Sequence, residues 1–365
     1  MNIGILTFHY AHNYGAMLQA YALTTFLKES GHEAKIIDYR LPYIYDRHER
    51  LGVVNFYKKR YSHTNILIGI LKTIKNYPKH YFRPAKWYRF EEFLDNTLSK
   101  SDRVDLPENI CESSYDAIIC GSDQIWNTRL TGSLIPLYFC EGIDAQKKIA
   151  YAASNGDDYV DIKHLPEFSK LFQNFDNVSI REAGLSSFLN DAGFHNTCVL
   201  DPVFLLSYKV WDNIAEIPDE TNYLLTYSFD ETPFFFTFAY KIARELGKKM
   251  IVFAYEKKKN LPKDVKQYII GGPKEFVGYI KNADFVITNS FHRTAFSITY
   301  RKQFFCVPPK YGRERIDALL GSMGLVNRIV ENCCEKKQIE PLEYSEALIN
   351  KQIEKSMEFI NNSLN

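Results

Sequence analysis

The 365-residue sequence lacks the short signatures of several common enzyme classes. It has no G-x-G-x-x-G and no G-K-[ST], so neither a dinucleotide nor a nucleoside triphosphate site is indicated. It has seven cysteines but no C-x-x-C, and several of them lie inside apolar runs. Such cysteines are typical of small core residues in a reducing compartment. No serine in the segment "CGSDQIWN" fits G-x-S-x-G, which argues against a serine hydrolase.

The sequence also lacks a strong charge and a long hydrophobic run. Lys and Arg number 45 and Asp and Glu 44, which gives a net charge of +1 and no global field that would attract nucleic acid. Its apolar runs fall far short of the roughly 20 residues that span a bilayer. The first residues, "MNIGILTFHY", carry no basic leader region. We therefore expect a soluble, cytoplasmic protein without a nucleic-acid partner.

Apolar segments of strand length alternate with helical patterns along the chain. "NIGILTF", "GAMLQAYALTTFLKESG" and "AKIIDYR" form a βαβ pattern, and a second series runs from "NYLLTYSF" to "KQFFCVP". Because single cores stop growing beyond roughly 250 residues, a chain of this length favours two domains. The pattern predicts an α/β protein with two Rossmann-like domains that face a cleft.

We place the first domain at residues 1–198 and the second at residues 199–342, with a C-terminal helix at 343–365 that rejoins the first domain. The first domain has a helical insert at about residues 42–100. Within it, residues 42–90 carry 11 Lys or Arg, 11 aromatic residues and two acidic residues, Asp46 and Glu49. One interpretation is a helical cap with a solvated basic face. The other is a lid that meets an anionic, lipid-linked or polysaccharide acceptor at the membrane surface.

The segment "ADFVITNSFHRTAFSITY" predicts a buried strand that breaks and restarts at once as a helix. Asn289, Ser290, Phe291 and His292 lie at this helix start, where unpaired backbone N–H groups and the helix dipole favour phosphate or carboxylate. His292 can supply a proton near neutral pH, and Arg293 a fixed positive charge. The alternative is a helix cap from Asn289 or Ser290, with His292 bonded to a loop carbonyl.

A second break, "FHYAHNYGAMLQAYAL", has the same form after the first strand. Gly15 lets the backbone approach a ligand closely, Asn13 can cap the helix, and Gln19 lies one turn further in. His9 and His12 are three residues apart, as two metal ligands can be, but no acidic or cysteine cluster completes a site. We therefore predict no metal here.

A third break, "CGSDQIWN", groups polar side chains beside a large aromatic one. Ser122, Asp123, Gln124 and Asn127 follow a strand, and Trp126 lies among them. This combination is typical of a ledge that binds sugar.

Two further segments carry arginines. In "SIREAG", Arg181 follows an apolar strand and either pairs with Glu182 or binds a carboxylate or phosphate in a bidentate manner. In "KYGRERIDALLGSMGL", Lys310, Arg313 and Arg315 precede a helix, where one or two of them can close over an anion or form a solvated face.

Taken together, the sequence resembles the polysaccharide pyruvyl transferase family. The resemblance rests on seven segments that occur in order between about residues 2 and 328: "NYGAMLQAYAL", "GSDQIWN", "YAASNG", "SIREAG", "LDPVFLL", "ITNSFHRTAFS" and "RIDALLGSMGL". It implies a fold similar to the glycosyltransferase-B type. It also implies transfer of the enolpyruvyl unit of phosphoenolpyruvate to two hydroxyls of one sugar, which gives a cyclic pyruvate ketal in a cell-surface polysaccharide or its lipid-linked precursor.

Under this resemblance His292 is the acid that protonates the enol, and Asp123 is the general base, with His9 or His12 behind it. Family members typically have glycine after the histidine, where this chain has Arg293. The second domain is expected to bind the donor. The donor-binding residues are then Arg181, Asn289, Ser290, Phe291, Arg293, Thr294 and Arg315, and the acceptor-binding residues are His9, Asn13, Tyr14, Gly15, Gln19, Ser122, Gln124, Trp126 and Asn127.

The expected partners are phosphoenolpyruvate as co-substrate and an oligosaccharide or lipid-linked saccharide acceptor, with peripheral membrane contact through the basic insert. No cofactor or metal is expected, so activity should survive chelators. Two alternatives stay open: a nucleotide-sugar glycosyltransferase of similar architecture, which would bind UDP or CDP, and a non-catalytic sugar-binding protein of polysaccharide assembly.

Overall fold

A computed structural model describes residues 1–41, 53–81, 85–104, 110, 115–227, 234–309, 312–331 and 339–365. Part of the predicted insert, including Asp46 and Glu49, lies outside the described residues, as does the candidate cation Lys310. Three of the seven cysteines, Cys111, Cys333 and Cys334, also lie outside them. Of the four described cysteines, three are buried and one is half-buried, and all four are free thiols.

The first sheet has seven parallel strands in the order β3-β2-β1-β4-β5-β6-β7. Most residues of the central strands are buried on both faces, which explains why these strands are apolar in the sequence. Strand order reverses between β1 and β4, and ligands of such sheets bind at the carboxyl ends of the strands at this point. The strands are β1 Asn2–Leu6, β2 Glu33–Tyr39, β3 Lys100–Val104, β4 Ala117–Cys120, β5 Lys147–Ala153, β6 Asn177–Ile180 and β7 Thr197–Cys198.

The second sheet has five parallel strands in the order β10-β9-β8-β11-β12. Its order reverses between β8 and β11, so the loop that follows β11 lies at a second switch point. The strands are β8 Tyr223–Tyr227, β9 Lys249–Phe253, β10 Lys266–Tyr268, β11 Phe285–Thr288 and β12 Gln303–Cys306. The two parallel sheets confirm the predicted α/β class. The sequence patterns missed β3, β7 and β10, because these short strands lie at or near sheet edges and carry polar residues.

Helices connect the strands and cover both sheets. The helices are α1 Tyr14–Glu29, α2 Val53–Tyr61, α3 Ile66–Tyr81, α4 Ala85–Asn96, α5 Thr128–Thr131, α6 Leu165–Phe172, α7 Ala183–Asp191, α8 Tyr208–Asp212, α9 Phe235–Glu245, α10 Pro273–Asn282, α11 Phe291–Thr299, α12 Arg313–Ser322 and α13 Glu346–Leu364. Within the described ranges, no helix is long and apolar enough to cross a membrane.

Two helices hold the chain together across the sheets. The last helix, α13, returns to the first sheet: Ser356 Oγ accepts a hydrogen bond of 3.0 Å from the backbone N–H of Leu200, and Phe359 packs on Tyr151. Helix α4 reaches the second sheet, where Lys86 donates to the carbonyl of Tyr255 at 2.7 Å and Arg89 to the hydroxyl of Tyr268 at 2.5 Å. The carboxyl ends of the two sheets therefore enclose a cleft.

Candidate active site

A cavity of about 330 Å³ lies at the two switch points, with walls from both halves of the chain. The loops after β1 and β4 supply one wall, and the start of α11 together with α12 supplies the other. Of the predicted site residues, those that line the cavity are Asn13, Tyr14, Gly15, Asp123, Gln124, Asn289, Ser290, Phe291, His292 and Arg315. The fold thus brings three separate sequence breaks and one later arginine to one place.

His292 lies in the first turn of α11, against the start of α1. Its imidazole packs so closely on Gly15 that a Cβ at this position would overlap the ring. Ser290 is the N-cap residue, but its side chain makes no capping hydrogen bond, so the structure does not support the plain capping role for it. A nine-residue helix without a side-chain cap leaves its positive end directed at the cavity.

Behind His292 lies Asp201, which sequence reasoning did not select. One carboxylate oxygen, Oδ2, lies 3.5 Å from His292 Nε2, 2.9 Å from Arg181 Nη1 and 3.3 Å from Ser122 Oγ. The other oxygen accepts a hydrogen bond from the backbone N–H of Val203 at 3.1 Å. Burial alone would raise the pKa of Asp201, but His292 and Arg181 outweigh it and hold this pKa well below its usual range. Asp201 is therefore a buried anion.

The signal that would have identified Asp201 is present in the sequence: an acidic residue in the apolar segment "LDPVFLL" between the two predicted domains. Charged residues are almost never fully buried unless they are paired. The sequence alone does not identify a cationic partner for Asp201, because His292 lies 91 positions further along the chain.

Arg181 and Arg315 lie close enough for their charges to interact, and of the two it is Arg315 that lines the cavity. Arg181 pairs with Asp201 and also donates from Nη2 to Ser154 Oγ at 2.9 Å, with Glu182 Oε1 at 3.5 Å. Burial raises the pKa of Glu182 despite Arg181 and Arg315 nearby. The predicted Arg181–Glu182 ion pair is thus present.

Arg315 differs from Arg181 because it lines the cavity itself. Its Nε is buried without a hydrogen-bond partner among the described residues. Burial and the neighbouring Arg181 lower the pKa of Arg315. A half-buried guanidinium whose buried Nε–H is unpaired is well suited to bind an anion.

Two predicted acceptor residues, Gln19 and Ser122, support the loops and are not among the residues that line the cavity. Gln19 is buried, and its side-chain amide donates to Thr7 Oγ1 at 2.8 Å and accepts from the backbone N–H of Ser122 at 3.2 Å. Ser122 in turn contacts Asp201. Gln19 therefore ties the loop after β1 to the loop after β4. Asn13 lines the cavity and also caps α1, as predicted, because its Oδ1 accepts from the backbone N–H of Ala16 at 3.2 Å.

Three other predicted acceptor residues lie elsewhere. His9 is fully buried, and its Nε2 pairs with Asp38 Oδ1 at 2.9 Å. Trp126 is only 2% exposed, stacks on Phe139 and donates to the carbonyl of Tyr138, so its face is not available as a sugar ledge. Asn127 caps α5 by accepting from the backbone N–H of Arg129, at the edge of a separate small pocket.

Arg293 and Thr294 are also not in the cavity wall. The guanidinium of Arg293 is 0% exposed and packs on the rings of Tyr227 and Phe276 at 4.3 and 4.6 Å, and these two rings line the cavity. None of its three nitrogens has a hydrogen-bond partner in the described part of the chain, and burial lowers its pKa to about 10. Thr294 Oγ1 donates to the carbonyl of Ser290 at 3.0 Å. Helical periodicity explains this placement, because successive helix residues point about 100° apart and His292 takes the cavity side.

Sequence reasoning also missed Tyr227 and Phe276 as wall residues. Both belong to apolar segments that predict only core, so no local signal separated them from neighbours such as Phe253. The two histidines considered as a metal pair diverge, since His12 Nε2 bonds to Glu91 at 2.6 Å and His9 to Asp38. Among the described residues, no group of three or more His, Cys, Asp or Glu is arranged around a common metal position.

The arrangement combines two kinds of chemistry. Arg315 and the start of α11 give one side a positive potential that suits phosphate and carboxylate groups. His292 and Asp123 place a proton donor and a proton acceptor at the same cavity.

Comparison with solved structures finds matches at low sequence identity over nearly the whole chain. UDP-GlcNAc 2-epimerase from Neisseria meningitidis aligns with a TM-score of 0.48 and 9% identity over 100% of this chain and 93% of that one. The 2-epimerase from Methanocaldococcus jannaschii gives 0.46 and 11% over 100% and 93%. The E. coli heptosyltransferase WaaC gives 0.39 and 9% over 99% of each chain.

Comparison of the sequence with protein families gives a match over most of the chain. The model described as "Polysaccharide pyruvyl transferase" matches residues 13–311. This range includes the start of α1, the loops after β4 and β11, and Asp201 with its partners Arg181 and His292, whereas Arg315 lies outside it. None of the curated proteins matches the chain significantly.

Proposed function

The chain belongs to the polysaccharide pyruvyl transferase family, and we propose that it transfers the pyruvyl group of phosphoenolpyruvate to two hydroxyls of one sugar in a cell-surface polysaccharide or its lipid-linked precursor. The product is a cyclic pyruvate ketal. The observation that carries this proposal is the cavity in which His292, Arg315 and the uncapped start of α11 meet. A donor with both a phosphate and a carboxylate needs at least two cationic contacts, and this wall supplies them.

Donor binding uses the second half of the cavity. Arg315 donates a hydrogen bond from its unpaired Nε–H to one anionic group of phosphoenolpyruvate, and the backbone N–H groups in the first turn of α11 bind the other. Arg181 stays paired with Asp201 and Ser154. Arg293 takes no part in donor contact because aromatic rings cover it.

His292 transfers a proton to the terminal carbon of the enol. In the orientation of the structure, Nε2 faces the buried Asp201 and Nδ1 lies on the Gly15 side. The C=C bond becomes a C–H bond and a cationic carbon that carries the phosphate. Asp201 is a positioning residue, since it holds the ring edge and provides a fixed negative charge next to the imidazole.

The sugar enters from the wall formed by the loops after β1 and β4. Its first hydroxyl adds to the cationic carbon and loses its proton to Asp123, which lines the cavity opposite α11. The C–O bond to phosphate then breaks, and the second hydroxyl adds to the same carbon to close the ketal. Its proton leaves with the phosphate, and the proton that Asp123 took from the first hydroxyl returns to His292 through solvent, so both groups are restored after each turnover.

A thermal-shift titration tests donor identity without knowledge of the acceptor. Wild type, Arg315→Ala and Arg313→Ala are titrated with phosphoenolpyruvate, UDP, CDP and inorganic phosphate. Arg313 is a matched control because it lies two positions away in α12 and pairs with Asp317 and Glu331. A ligand at a hundredfold excess over its dissociation constant stabilises the folded state by about 2.7 kcal/mol.

We expect phosphoenolpyruvate to stabilise wild type and Arg313→Ala but not Arg315→Ala. Stabilisation by UDP or CDP without any effect of phosphoenolpyruvate would contradict the proposal and favour glycosyl transfer.

His292→Gln should retain donor binding, whereas pyruvyl transfer to an acceptor should fall by about 10²- to 10⁴-fold, the usual contribution of a general acid.

A further inference from the structure

Helices α2 and α3 expose an unusual amount of apolar side chain. Of the seventeen large hydrophobic side chains that are exposed in the described part of the chain, eight lie between residues 53 and 74. In α3, Ile66, Leu67, Leu71 and Ile74 are 67–72% exposed. Single exposed hydrophobic residues are ordinary, but a contiguous group on one element marks an interaction surface.

The exposed residues form a stripe along one side of α3. At about 100° per residue, five of the six exposed large hydrophobic residues of α3 fall within an arc of roughly 140°, and the sixth, Ile68, lies about 60° beyond it. The residues of this arc, which we call the α3 stripe, are Ile66, Leu67, Ile70, Leu71 and Ile74. Gly69 and Thr73 are buried at roughly 300° and 340° on the same count, on the side of the helix that borders Ile66. The stripe is therefore not the face on which α3 packs.

Helices α2 and α3 together form a helical hairpin, residues 53–81. The packing within this hairpin explains why the stripe stays exposed to solvent. Helix α2 covers the other side of α3: Phe56 lies 5.6 Å from the ring of Tyr77, and Asn76 donates to the hydroxyl of Tyr61 at 2.9 Å. Gly69 allows the ring of Tyr57 to come close. The two helices thus build their own small core and leave the α3 stripe to solvent.

The charge of the hairpin has a single sign. Residues 53–81 contain six Lys or Arg and no Asp or Glu, although the whole chain carries a net charge of only +1. Lys72 and Lys75 are exposed and lie beside the α3 stripe, roughly 180–240° around the helix from Ile66. An apolar stripe with lysines along one flank, on a helix of 16 residues that is too short to span a bilayer, is the pattern of an interfacial helix.

We propose that the α2–α3 hairpin docks on an anionic lipid bilayer, with the α3 stripe buried at the headgroup boundary and the lysines against lipid phosphates. Charge complementarity favours an anionic bilayer, rather than a second copy of this hairpin, as the partner of the α3 stripe. Two hairpins packed stripe to stripe would face six basic residues with six others and offer no acidic residue to pair with them. This inference does not rest on the proposed reaction.

The hairpin is coupled to the cleft through the chain. Helix α3 ends at Tyr81 and α4 begins at Ala85. Helix α4 then contacts both halves: Glu91 bonds to His12 beside the loop after β1, and Arg89 and Lys86 bond to the second half. A hairpin on the bilayer would hold the cleft near the lipid surface.

Vesicle flotation tests the proposal. The full chain is floated with phosphatidylglycerol-containing vesicles and with vesicles of phosphatidylcholine alone. We expect at least about tenfold more bound protein on the anionic vesicles, and release when ionic strength rises to about 1 M, where the screening length is roughly 3 Å. Equal or absent binding to both vesicle types would overturn the proposal.

Two pairs of substitutions locate the contact. Leu67→Asp with Leu71→Asp should lower vesicle binding at least about tenfold, with unchanged circular dichroism, because both side chains are exposed in the folded protein. Ile162→Asp with Val326→Asp, at exposed positions outside the hairpin, should bind as wild type. Equal loss in both pairs would contradict a specific docking face. A change from dimer to monomer in the first pair, without loss of lipid binding, would instead assign the stripe to a second copy.

Discussion

The contact between Gly15 and His292 shows how one atom at one position can decide the geometry of the site. Gly15 is the second residue of α1, where alanine would ordinarily favour the helix. It is glycine in this chain, and the imidazole of His292 occupies the space that a side chain would need. The sequence indicated close approach of a ligand at Gly15, and the structure places a catalytic candidate there instead.

Gly15→Ala should therefore impair function more than stability. The new methyl group pushes the His292 ring out of place, and a misplacement of about 1 Å can cost about a hundredfold in rate. The measurement is transfer of labelled pyruvyl from phosphoenolpyruvate to acceptor, together with the melting temperature. Gly321→Ala is the control, since a Cβ there meets no atom within 4 Å. Equal activity of the two variants would show that His292 is not held by this contact.

Arg293 presents the opposite case, a buried charge without a hydrogen-bond partner among the described residues. Its guanidinium depends on the rings of Tyr227, Phe253 and Phe276, at 4.3 to 5.0 Å. Such contacts are worth about 0.5–2 kcal/mol each and offset part of the cost of burial. Because replacing a buried charge by a well-packed apolar side chain is often neutral or stabilising, Arg293→Met should not lower the unfolding free energy by more than about 1 kcal/mol.

Chemical denaturation of Arg293→Met and Arg181→Met provides the test. Arg181→Met leaves Asp201 and Glu182 buried without their partner and should lose about 3–5 kcal/mol. Arg293→Met should also keep the shift caused by phosphoenolpyruvate. A large loss of stability in Arg293→Met, or loss of the thermal shift caused by phosphoenolpyruvate, would contradict this assignment and support a role for Arg293 in donor binding.

At the scale of elements, the start of α10 joins the two halves of the molecule. Glu275 closes a capping box, with Oε2 accepting from the backbone N–H of Gly272 at 2.8 Å, and its carboxylate also pairs with Arg89 of α4. The same helix supplies Phe276 to the cavity wall. One carboxylate therefore stabilises a helix end and fixes the insert to the second sheet.

These two roles can be separated by substitution. Glu275→Ala removes both and should lower the unfolding free energy by about 1–2 kcal/mol, the usual cost of a lost cap. Glu275→Gln keeps the capping geometry but loses the charge, and should resemble Arg89→Ala. Thermal unfolding of the three variants is the measurement. If Glu275→Gln lost as much stability as Glu275→Ala, the ion pair rather than the cap would hold this element.

At the scale of the whole molecule, two buried carboxylates make the fold sensitive to acid. Burial by itself raises the pKa of Asp38, but hydrogen bonds from Arg40 and His9 hold it well below its usual range, and Asp201 behaves likewise. Each group binds its proton more weakly in the folded than in the unfolded chain. Its contribution is therefore present above the unfolded pKa of about 4 and is lost as the pH falls below it.

We expect stability to decline between about pH 5 and pH 2, by about 2–3 kcal/mol for each carboxylate. Asp38→Asn and Asp201→Asn should each be less stable than wild type at neutral pH and show a shallower decline towards acid. Melting temperature as a function of pH measures both effects. A slope unchanged in both variants would mean that other groups control acid unfolding.

What the sequence determined by itself was local. The alternation of apolar strands and helical patterns predicted both parallel sheets, because strands covered on both faces must be apolar along their whole length. The breaks at Gly15, Asp123 and His292 were visible, since glycine, capping residues and polar groups interrupt those patterns. All three breaks line one cavity, because the carboxyl ends of parallel strands meet at the same edge.

Tertiary structure alone decided which side chains face that cavity. Asp201 and His292 meet although 91 positions separate them, and Arg293 turns away from the cavity while its neighbour His292 faces it. Trp126 belongs to the core because Phe139 and Tyr138 cover it, a fact with no local signature. Composition and periodicity report burial averaged over an element, whereas the direction of one side chain depends on packing partners that are distant in sequence.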